Sequence, residues 1–248
     1  MSARRRPPIP ERLDPDLLLR AYAIGVFPMA DDRDADEIYW VEPKRRAVLP
    51  LHGFHLSRSL RKTLRSGHYE TSWNRAFPDV LRACAAPAKD RPETWINHQI
   101  EAAVLRLFAI GHAHSIETWR DGELVGGLYG ISLGRAFFGE SMFSRATDAS
   151  KVALAHLVAR LRMGGFTLLD CQFQTPHLES LGAIEIDRAD YSVLLAAALS
   201  DAGAAATASG APDLGALDRL LPPSSPRATM VPGPISGCRI LQALIQTS

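Results

Sequence analysis

The sequence predicts a mixed α/β (α+β) fold, in which a mixed sheet with helices follows a small N-terminal domain. From about residue 93, helical and strand-like apolar patterns alternate in the order helix, β-hairpin, strand, helix, strand, helix. The composition is that of an ordinary globular protein, with 46% hydrophobic and 22% charged residues. A length of 248 residues suffices for one large domain with a smaller companion.

Two helices have clear end signals. The first lies in DPDLLLRAYAIG, where Asp14 can cap the N-terminus, Pro15 suits the first turn and Gly25 can end the helix. After it, IYWVEPKRRAVLPL contains strand-like apolar runs that prolines interrupt. The second helix, in INHQIEAAVLRLFAIG, is amphipathic and closes at Gly111.

The middle of the chain predicts the central strands. HSIETWRDGELVGGLYGISLG is expected to form a hairpin, because Asp121-Gly122 is a typical two-residue turn. RAFFGESMFS continues as a strand, ASKVALAHLVARLRM is a helix that ends at Gly164, and FTLLDCQF is a buried strand. TPHLESLG and RADYSVLLAAAL follow as a short and a longer helix.

Domain boundaries follow from the same pattern. Residues 1–70 are expected to form the small N-terminal domain, and residues 71–200 the sheet domain that carries the active site. After Ser200 the chain is rich in Ala, Gly, Ser and Pro, which predicts a flexible linker within residues 201–248. The apolar end, CRILQALIQ, could dock back as a helix.

Charge is informative locally rather than over the whole chain. Lys plus Arg number 28 and Asp plus Glu 27, so no global field attracts nucleic acid or membrane. From residue 43 to residue 69, however, there are seven basic residues and no acidic residue. A solvated helix face and a phosphate-binding surface are both open interpretations. Four basic residues would share one face of a helix: Arg58, Arg61, Lys62 and Arg65.

Cysteine usage and targeting signals predict a soluble cytoplasmic protein. The three cysteines are widely separated and form no CxxC motif, which fits a reduced compartment and argues against disulfides or a cysteine zinc site. The basic start, MSARRRPPIPERLD, is not followed by an apolar segment, so no signal peptide is expected. Apolar runs stay shorter than about 18 residues, so no transmembrane helix is expected.

The strand LLDCQF has two polar residues on one face. Side chains alternate along a strand, so Asp170 and Gln172 point one way and Cys171 the other. A carboxylate beside an amide at a strand end is typical of a hydrogen-bonded pair that faces a cleft. Asp170 could instead cap the following turn, while a Cys171–His177 nucleophile pair is disfavoured by the alternation.

The segment GESMFSR places a carboxylate among apolar residues. By the same alternation, Glu140, Met142 and Ser144 share one face. A buried glutamate needs a partner or a shifted pKa, so it is either a salt-bridged strand residue or part of a pocket lining. The accompanying Met and Ser favour the pocket. Trp95, before a helix, is either a core residue or a platform that stacks a base.

The order hairpin, strand, helix, strand resembles the acetyltransferase-like (GNAT-like) fold, whose members use acetyl-CoA. Those proteins bind the CoA pyrophosphate with a glycine-rich loop at the start of the central helix. The corresponding junction here, SRATDASKVALAHL, contains no glycine and therefore offers no bare backbone nest for phosphate. Within this fold, an acyl donor other than CoA is expected.

An ordered set of motifs from about Leu17 to Tyr191 resembles the leucyl/phenylalanyl-tRNA–protein transferase family. The motifs are AYAIGVFP, TWIN, GHAHSIETW, GELVGGLYG, FFGESMFS, ASKVAL, and LLDCQF followed by HLESLGA. Each is weak alone, but the ordered set is specific. The resemblance departs at Met29, where some members have tryptophan.

This resemblance implies an activity. Members are bacterial cytoplasmic enzymes that move Leu, Phe and less readily Met from aminoacyl-tRNA onto proteins that begin with Arg or Lys. The product is then degraded through the N-end rule pathway. The resemblance further implies a monomer that needs no cofactor, no metal and no membrane. An N-acetyltransferase of the same fold and a non-catalytic tRNA-binding module are the alternatives.

The resemblance also implies site residues. Asp170, Gln172 and Glu140 match the family's active-site positions, and we expect Gln172 to hold the attacking amine while Asp170 orients the Gln172 amide. Tyr22 matches a tyrosine of the N-terminal domain, and Trp95 a tryptophan near the aminoacyl-adenosine. The basic helix would face the tRNA acceptor stem. The positions that match the amino-acid pocket are Leu128, Met142, Ser144, Leu157 and Leu169.

Overall fold

An eight-stranded mixed sheet with helices on both faces forms the centre of the fold. The computed structural model describes residues 13–87, 92–208, 211–219 and 235–246. The strands are β1 (Phe27–Met29), β2 (Tyr39–Val41), β3 (Arg45–Val48), β4 (Glu70–Trp73), β5 (Ala113–Arg120), β6 (Glu123–Leu133), β7 (Ala136–Ser144), β8 (Leu168–Gln172), β9 (Ile184–Asp187) and β10 (Ile235–Ser236). The helices are α1 (Pro15–Ala23), α2 (Arg58–Arg65), α3 (Phe77–Ala85), α4 (His98–Ala109), α5 (Ala149–Met163), α6 (Pro176–Glu179), α7 (Arg188–Ala208), α8 (Ala216–Arg219) and α9 (Gly237–Gln246).

The topology confirms the mixed α+β expectation. The main sheet has the strand order β10-β4-β5-β6-β7-β8-β3-β9, and β1 pairs with β2 in a separate two-stranded sheet. All neighbours in the main sheet are antiparallel except β7 and β8, which are parallel and joined through α5. The hairpin β5–β6, the strand β7, the helix α5 and the parallel strand β8 follow the acetyltransferase-like order.

Two hydrophobic clusters cover the two faces of the sheet. The first includes Leu64 of α2 and Leu157 of α5, together with α9. The second includes Leu18 of α1 and Phe77 of α3, together with parts of α4 and α7. Helix α5 is buried on nearly all sides, as expected for a helix that crosses between two sheet strands under other helices. Within the described ranges, no helix combines the length and hydropathy required to cross a membrane.

Several sequence signals have the expected structural role. The side chain of Asp14 accepts a hydrogen bond from the backbone N–H of Asp16 and caps α1. The turn of the β5–β6 hairpin, Asp121-Gly122, has φ values of 54° and 80°, as a type I′ turn requires. A Cβ on Gly126 of β6 would lie 2.6 Å from the Cβ of Ala149, so glycine permits the close packing of β6 on α5.

The N-terminal segment is tied to the sheet domain. Helix α1 packs on α4, and Arg106 of α4 donates a hydrogen bond to the backbone oxygen of Leu13. Strand β3 lies inside the main sheet, between β8 and β9. Residues before position 70 therefore contribute to both sheets, and the domain boundaries drawn at residues 70 and 200 stay predictions.

The chain after Ser200 includes helices. Helix α7 continues to Ala208, because an alanine-rich segment favours helix over coil. Helix α8 is held on α5 by an ion pair between Arg160 and Asp218, with 2.7 Å between Nη1 and Oδ2. The predicted docking of CRILQALIQ is confirmed by α9, whose Ile240 is fully buried. Residues 209–210 and 220–234 of the predicted linker lie outside the described part of the chain.

Candidate active site

A cavity opens where the two parallel strands of the sheet cease to pair. Strands β7 and β8 pair only from Ala136↔Leu168 to Phe138↔Asp170. Beyond that point, residues 139–145 and residues 171–173 line a cavity of about 540 Å³. A mostly apolar cavity of this size with a few polar groups is the usual form of a small-molecule site. The end of the β7–β8 pairing therefore positions the candidate active site.

Glu140 lies at a β-bulge in β7. Tyr129 of β6 pairs with Ser141, and Gly130 pairs with Gly139, so Glu140 has no partner across the β6–β7 ladder. Glycine is required at position 130, because a Cβ there would lie 2.3 Å from the backbone oxygen of Phe138. A bulge re-aims the side chain that it inserts, and here that side chain is Glu140.

The bulge makes one sequence prediction wrong. Strict alternation predicted that Glu140 and Met142 share one face of the sheet. Phe137 and Met142 both pack on the α5 side although they are an odd number of residues apart, so the alternation is interrupted between them. Glu140 is instead hydrogen bonded to Tyr22, which belongs to the cluster on the opposite face. Glu140, Met142 and Ser144 nevertheless line the same cavity, because it opens between strands rather than on one face.

Glu140 is a nearly buried carboxyl group with two hydrogen-bond donors. It is 8% exposed, and its Oε1 accepts a hydrogen bond from Nε2 of Gln172 at 2.9 Å. The hydroxyl of Tyr22 also donates to it. Burial raises the pKa of Glu140 to about 7; the two hydrogen bonds oppose the rise, and the nearby carboxylate of Asp170 adds to it. Glu140 therefore exchanges a proton near neutral pH.

Asp170 is fully buried and already surrounded by donors. Arg46 donates from Nε to Oδ1 at 2.9 Å and from Nη2 to Oδ2 at 2.6 Å. The hydroxyl of Tyr191 donates to Oδ2 at 2.7 Å, and the backbone N–H of Gln172 donates to Oδ1 at 2.7 Å. The guanidinium of Arg46 lies 4.7 Å from the ring centres of both Phe27 and Tyr191. The negative charge of Asp170 is thus neutralised by a fixed partner.

These contacts correct the expected relation between Asp170 and Gln172. The side-chain amide of Gln172 is oriented by Glu140, whereas Asp170 binds the backbone N–H of Gln172. Gln172 has a φ of 62°, in the left-handed region, and the bond to Asp170 helps to hold that conformation. Asp170 therefore caps the turn after β8, which is the alternative that the sequence left open.

Arg46 and Tyr191 are site residues that sequence reasoning missed. Arg46 was counted only as one member of a basic stretch, and Tyr191 only as part of a motif. A signal for Arg46 was present, because an arginine in the apolar run RRAVLPL needs a buried anionic partner. Its partner could not be deduced, since Asp170 lies on a strand more than a hundred residues away.

The residues expected to form the amino-acid pocket come together. Trp95 lines the same cavity, and the backbone N–H of Ala30 donates to its carbonyl oxygen at 3.2 Å, which ties it to the end of β1. Sequence reasoning missed Leu154 of α5 and Phe173, which also line the cavity, and it considered His177 only as a partner of Cys171. The expected lining residues found there are Leu128, Met142, Ser144, Leu157 and Leu169.

A thiol nucleophile has little support. Cys171 packs on the α5 side of the sheet, as expected, but it also lines the cavity together with His177. Burial raises the pKa of the Cys171 thiol well above its usual range, and the carboxylate of Asp170 raises it further. The thiolate is the reactive form of cysteine, so a thiol held neutral in this way is a weak nucleophile.

The basic helix forms over the predicted residues. Helix α2 spans Arg58–Arg65 and buries two leucines. Ser57 caps its N-terminus, because the Ser57 hydroxyl accepts a hydrogen bond from the backbone N–H of Leu60 at 3.2 Å. Its four basic side chains form no ion pair with any described residue, which leaves their charge available to a partner. Arg58, Lys62 and Arg65 are exposed, and Arg61 is half-buried.

The start of α5 carries a carboxylate where a CoA-dependent enzyme of this fold would hold phosphate. Asp148 precedes the helix with a φ of 63°. It accepts hydrogen bonds from Lys151 at 2.9 Å and from Thr63 at 3.4 Å. A fixed negative charge at this helix end competes with an anionic ligand. The geometry therefore supports the expectation that the acyl donor is not CoA.

Comparisons with known proteins point to one family. A family model described as leucyl/phenylalanyl-tRNA protein transferase matches residues 48–196, and the model of its N-terminal domain matches residues 11–44. A leucyl/phenylalanyl-tRNA–protein transferase of Rhizorhabdus wittichii is 60% identical over 247 residues, covering 95% of this chain and 99% of the relative. One of Paramagnetospirillum magneticum is 61% identical, covering 76% of this chain and 90% of the relative.

A structural comparison adds little. A functionally unknown conserved protein from Staphylococcus epidermidis, in a crystal structure, matches with a TM-score of 0.38 and 11% identity. The match covers 71% of this chain and 66% of that protein. So weak a likeness carries no argument about function.

Proposed function

The chain belongs to the leucyl/phenylalanyl-tRNA–protein transferase family and is an aminoacyltransferase, and we propose that it moves Leu, Phe and less readily Met from aminoacyl-tRNA onto proteins that begin with Arg or Lys. The observation that carries this proposal is the apolar cavity that ends in the hydrogen-bonded pair Glu140–Gln172. In the bacterial cytoplasm, such a transfer would direct the acceptor into degradation through the N-end rule pathway.

The apolar wall of the cavity suits the transferred amino acid. Leu128, Leu157 and Leu169 offer buried aliphatic surface, and Met142 can adapt its unbranched side chain to either leucine or phenylalanine. Leu, Phe and Met share an unbranched Cβ, whereas Val and Ile branch there. A cavity that is narrow at the Cβ would therefore reject Val and Ile by steric clash.

The tRNA would be held by two other features. Trp95 lines the cavity and offers a ring on which the terminal adenine could stack. The basic face of α2 would contact phosphates of the acceptor stem, which favours tRNA without reading its sequence. Both roles follow the family positions, and the unpaired charge of α2 supports the second.

Ester aminolysis needs neither ATP nor a strong base. The acceptor α-amino group has a pKa near 7.7–8.0, so about a fifth to a third of it is neutral at about pH 7.4. Its nitrogen forms a bond to the ester carbonyl carbon, the ester C–O bond breaks, and one proton leaves the nitrogen as the ribose oxygen gains one. Gln172 would hold the amine through its side-chain carbonyl oxygen, since its amide N–H₂ is bonded to Glu140.

Glu140 is the better candidate to receive the proton. Asp170 is paired with Arg46 and accepts two further hydrogen bonds, from the Tyr191 hydroxyl and the Gln172 backbone N–H, so its oxygens are already occupied. Glu140 has a pKa of about 7, close to that of the amine, and such matching favours proton transfer. Asp170 would then act by fixing the backbone of Gln172, and Tyr22 by orienting Glu140.

The direct test is transfer of labelled Leu from Leu-tRNA to a reporter protein. We expect incorporation into a reporter that begins with Arg and none into the same reporter beginning with Ala. An acetyl-CoA arm, followed by thermal unfolding, tests the N-acetyltransferase alternative, and we expect no shift. Binding of Leu-tRNA without transfer would instead favour a non-catalytic tRNA-binding module.

A further inference from the structure

A second pocket lies between the loop that follows β3, helix α2 and the C-terminal ends of α5 and α9. It has a volume of about 280 Å³ and shares no lining residue with the cavity that contains Glu140. None of the described residues that line it carries a carboxylate. A pocket with several basic groups and no acid favours an anionic ligand. Four basic residues line this basic pocket: His52, His55, Arg61 and Arg162.

The two arginines of the basic pocket differ in how they are held. Arg162 is anchored, because its Nε donates to the backbone oxygen of Leu51 at 2.7 Å and its Nη1 to that of Leu244 at 2.8 Å. Both acceptors are neutral, so these two bonds fix the guanidinium without neutralising its charge. Arg61 is half-buried and forms no ion pair with any described residue. An anion between the two arginines would meet one fixed cation and one that can adjust its position.

The rim of the basic pocket is open to solvent. His52, Gly53 and His55 line the pocket and are exposed. Their loop is fixed at two points, because the backbone N–H of Gly53 donates to the oxygen of Pro50 at 2.8 Å and that of His55 to the oxygen of Leu181 at 2.9 Å. An imidazole can donate a hydrogen bond to an anion in either protonation state. The two histidines therefore add donors at a rim that a large ligand can reach.

The N-terminal end of α2 adds to the positive potential of the pocket. Leu56 lines the pocket and directly precedes Ser57, the residue that caps α2. The N-terminal end of a helix carries a partial positive charge, which favours an anion nearby. The same charges repel the basic N-terminus of an acceptor protein, so the pocket suits a phosphate group and not the acceptor.

Arg61 connects the basic pocket to the basic face of α2. It shares one helix face with Lys62 and Arg65 and at the same time lines the pocket. A nucleic-acid backbone that follows the basic face would therefore bring one of its phosphates to the pocket. This step rests on the proposed function, because it takes tRNA to be the molecule that is bound along α2.

We propose that the basic pocket binds a phosphate group of the donor tRNA. Arg61 and Arg162 are its main ligands, and His52 and His55 are further donors at the rim. Because the pocket is separate from the cavity for the aminoacyl end, this contact adds affinity for tRNA without touching the reacting groups. A phosphate contact positions the nucleic acid and does not read its sequence.

Charge reversal at the rim tests the contact. His52→Glu combined with His55→Glu places carboxylates beside the phosphate, so binding of Leu-tRNA at low salt should weaken about tenfold and the slope of log K against log salt should fall by about one. Binding of Leu joined by an amide to adenosine, which has no phosphate, should stay unchanged. Ser192→Glu combined with Ser200→Glu makes the same formal charge change at exposed sites on α7 and should bind both ligands as the wild type does.

A second pair of substitutions separates a phosphate contact from a structural role of the two rings. His52→Lys combined with His55→Lys should bind Leu-tRNA at least as tightly as the wild type, because lysine also binds phosphate. Weakened binding of Leu-tRNA in this variant would contradict the proposal. Equal weakening of Leu-tRNA and of the adenosine analogue in the glutamate variant would contradict it as well, because the analogue lacks the phosphate.

The outcomes also distinguish this proposal from the proposed function. If the wild-type protein transfers Leu, and the glutamate variant binds Leu-tRNA as tightly as the serine control, the pocket assignment is wrong and the transferase function stands. If inorganic phosphate raises the unfolding temperature only when His52 and His55 are present, while Leu-tRNA binding does not depend on them, the pocket takes a free phosphate and the tRNA assignment is wrong. If the wild type neither transfers Leu nor binds Leu-tRNA, both proposals fail.

Discussion

The guanidinium of Arg46 holds the carboxylate of Asp170 at two points, with Nε 2.9 Å from Oδ1 and Nη2 2.6 Å from Oδ2. Arg46 is 1% exposed and Asp170 is 0% exposed, so the pair lies in the protein interior. This pair gives the two carboxyl groups near the cavity different electrostatic environments. Asp170 is paired with a buried cation, whereas burial raises the pKa of Glu140 to about 7.

The Arg46–Asp170 pair should behave as one energetic unit. Arg46→Met and Asp170→Asn should each lower the free energy of unfolding by about 3–5 kcal/mol, because each leaves one buried charge without its partner. The double variant should lose clearly less than the sum of the single losses. Urea unfolding of the four proteins measures this coupling. Additive losses would show that the two charges do not depend on each other.

The pH profile of transfer should reveal Glu140. Below about pH 6.5, both the acceptor amine and Glu140 must lose a proton, so the logarithm of kcat/KM should rise with a slope near two in the wild type. Glu140→Gln should reduce that slope to about one as well as lowering the rate. Glu179→Gln, at an exposed carboxyl group, should keep the wild-type slope. An unchanged slope in Glu140→Gln would contradict the proposed proton acceptor.

The same group should affect stability in a defined pH window. The folded-state pKa of about 7 lies above the ordinary value of 4.5, so the folded protein retains a proton that the unfolded chain has lost between these pH values. The free energy of unfolding should therefore fall as pH rises through this window. From pH 5 to pH 8, the free energy of unfolding of the wild type should therefore decrease relative to that of Glu140→Gln. Chemical denaturation at these two values measures it.

Side-chain branching should control the choice of amino acid. In a competition between Leu-tRNA and Ile-tRNA with identical tRNA bodies, we expect Leu to be transferred at least about tenfold faster, because Ile branches at the Cβ. Labelled product measured from each donor gives the ratio. Equal transfer of the two amino acids would refute a cavity that is narrow near the Cβ.

The basic helix should determine the salt dependence of tRNA binding. Lys62→Glu combined with Arg65→Glu should weaken binding and flatten the slope of log K against log salt, because phosphate contacts release counterions. Arg20→Glu combined with Lys44→Glu makes the same net charge change at exposed sites outside α2 and is the matched control. If the slope of log K against log salt equals that of the control variant, α2 is an ordinary solvated helix and does not contact tRNA phosphates.

Much of the fold could be predicted from the sequence because its signals are local. The Asp121-Gly122 turn, the glycine end of α5 and the apolar pattern of β8 each depend on a few adjacent residues. The continuation of α7 to Ala208 was missed, because alanine favours both helical and low-complexity interpretations. Strand β3 comes from the N-terminal part of the chain but belongs to the main sheet. Its place there depends on pairing with β8 and β9, which local sequence patterns do not encode.

The sequence predicted which residues form the candidate site, but not which of them are bonded to each other. Glu140, Gln172 and the pocket leucines come together as expected, yet the bulge at Glu140 depends on the register of β6 against β7. The partner of Asp170 lies on β3, far away along the chain, so the ion pair with Arg46 could not be deduced. Both errors concern long-range pairing rather than residue type.

In the proposed mechanism, Gln172 joins the Glu140 carboxyl to the reacting amine. Single-turnover transfer of Leu, measured beside equilibrium binding of Leu-tRNA, should show that Gln172→Ala slows transfer by roughly a hundredfold or more while binding changes little. Gln174→Ala, on the same segment but outside the cavity lining, should transfer at nearly the wild-type rate. Retained transfer with lost binding in Gln172→Ala would contradict the account.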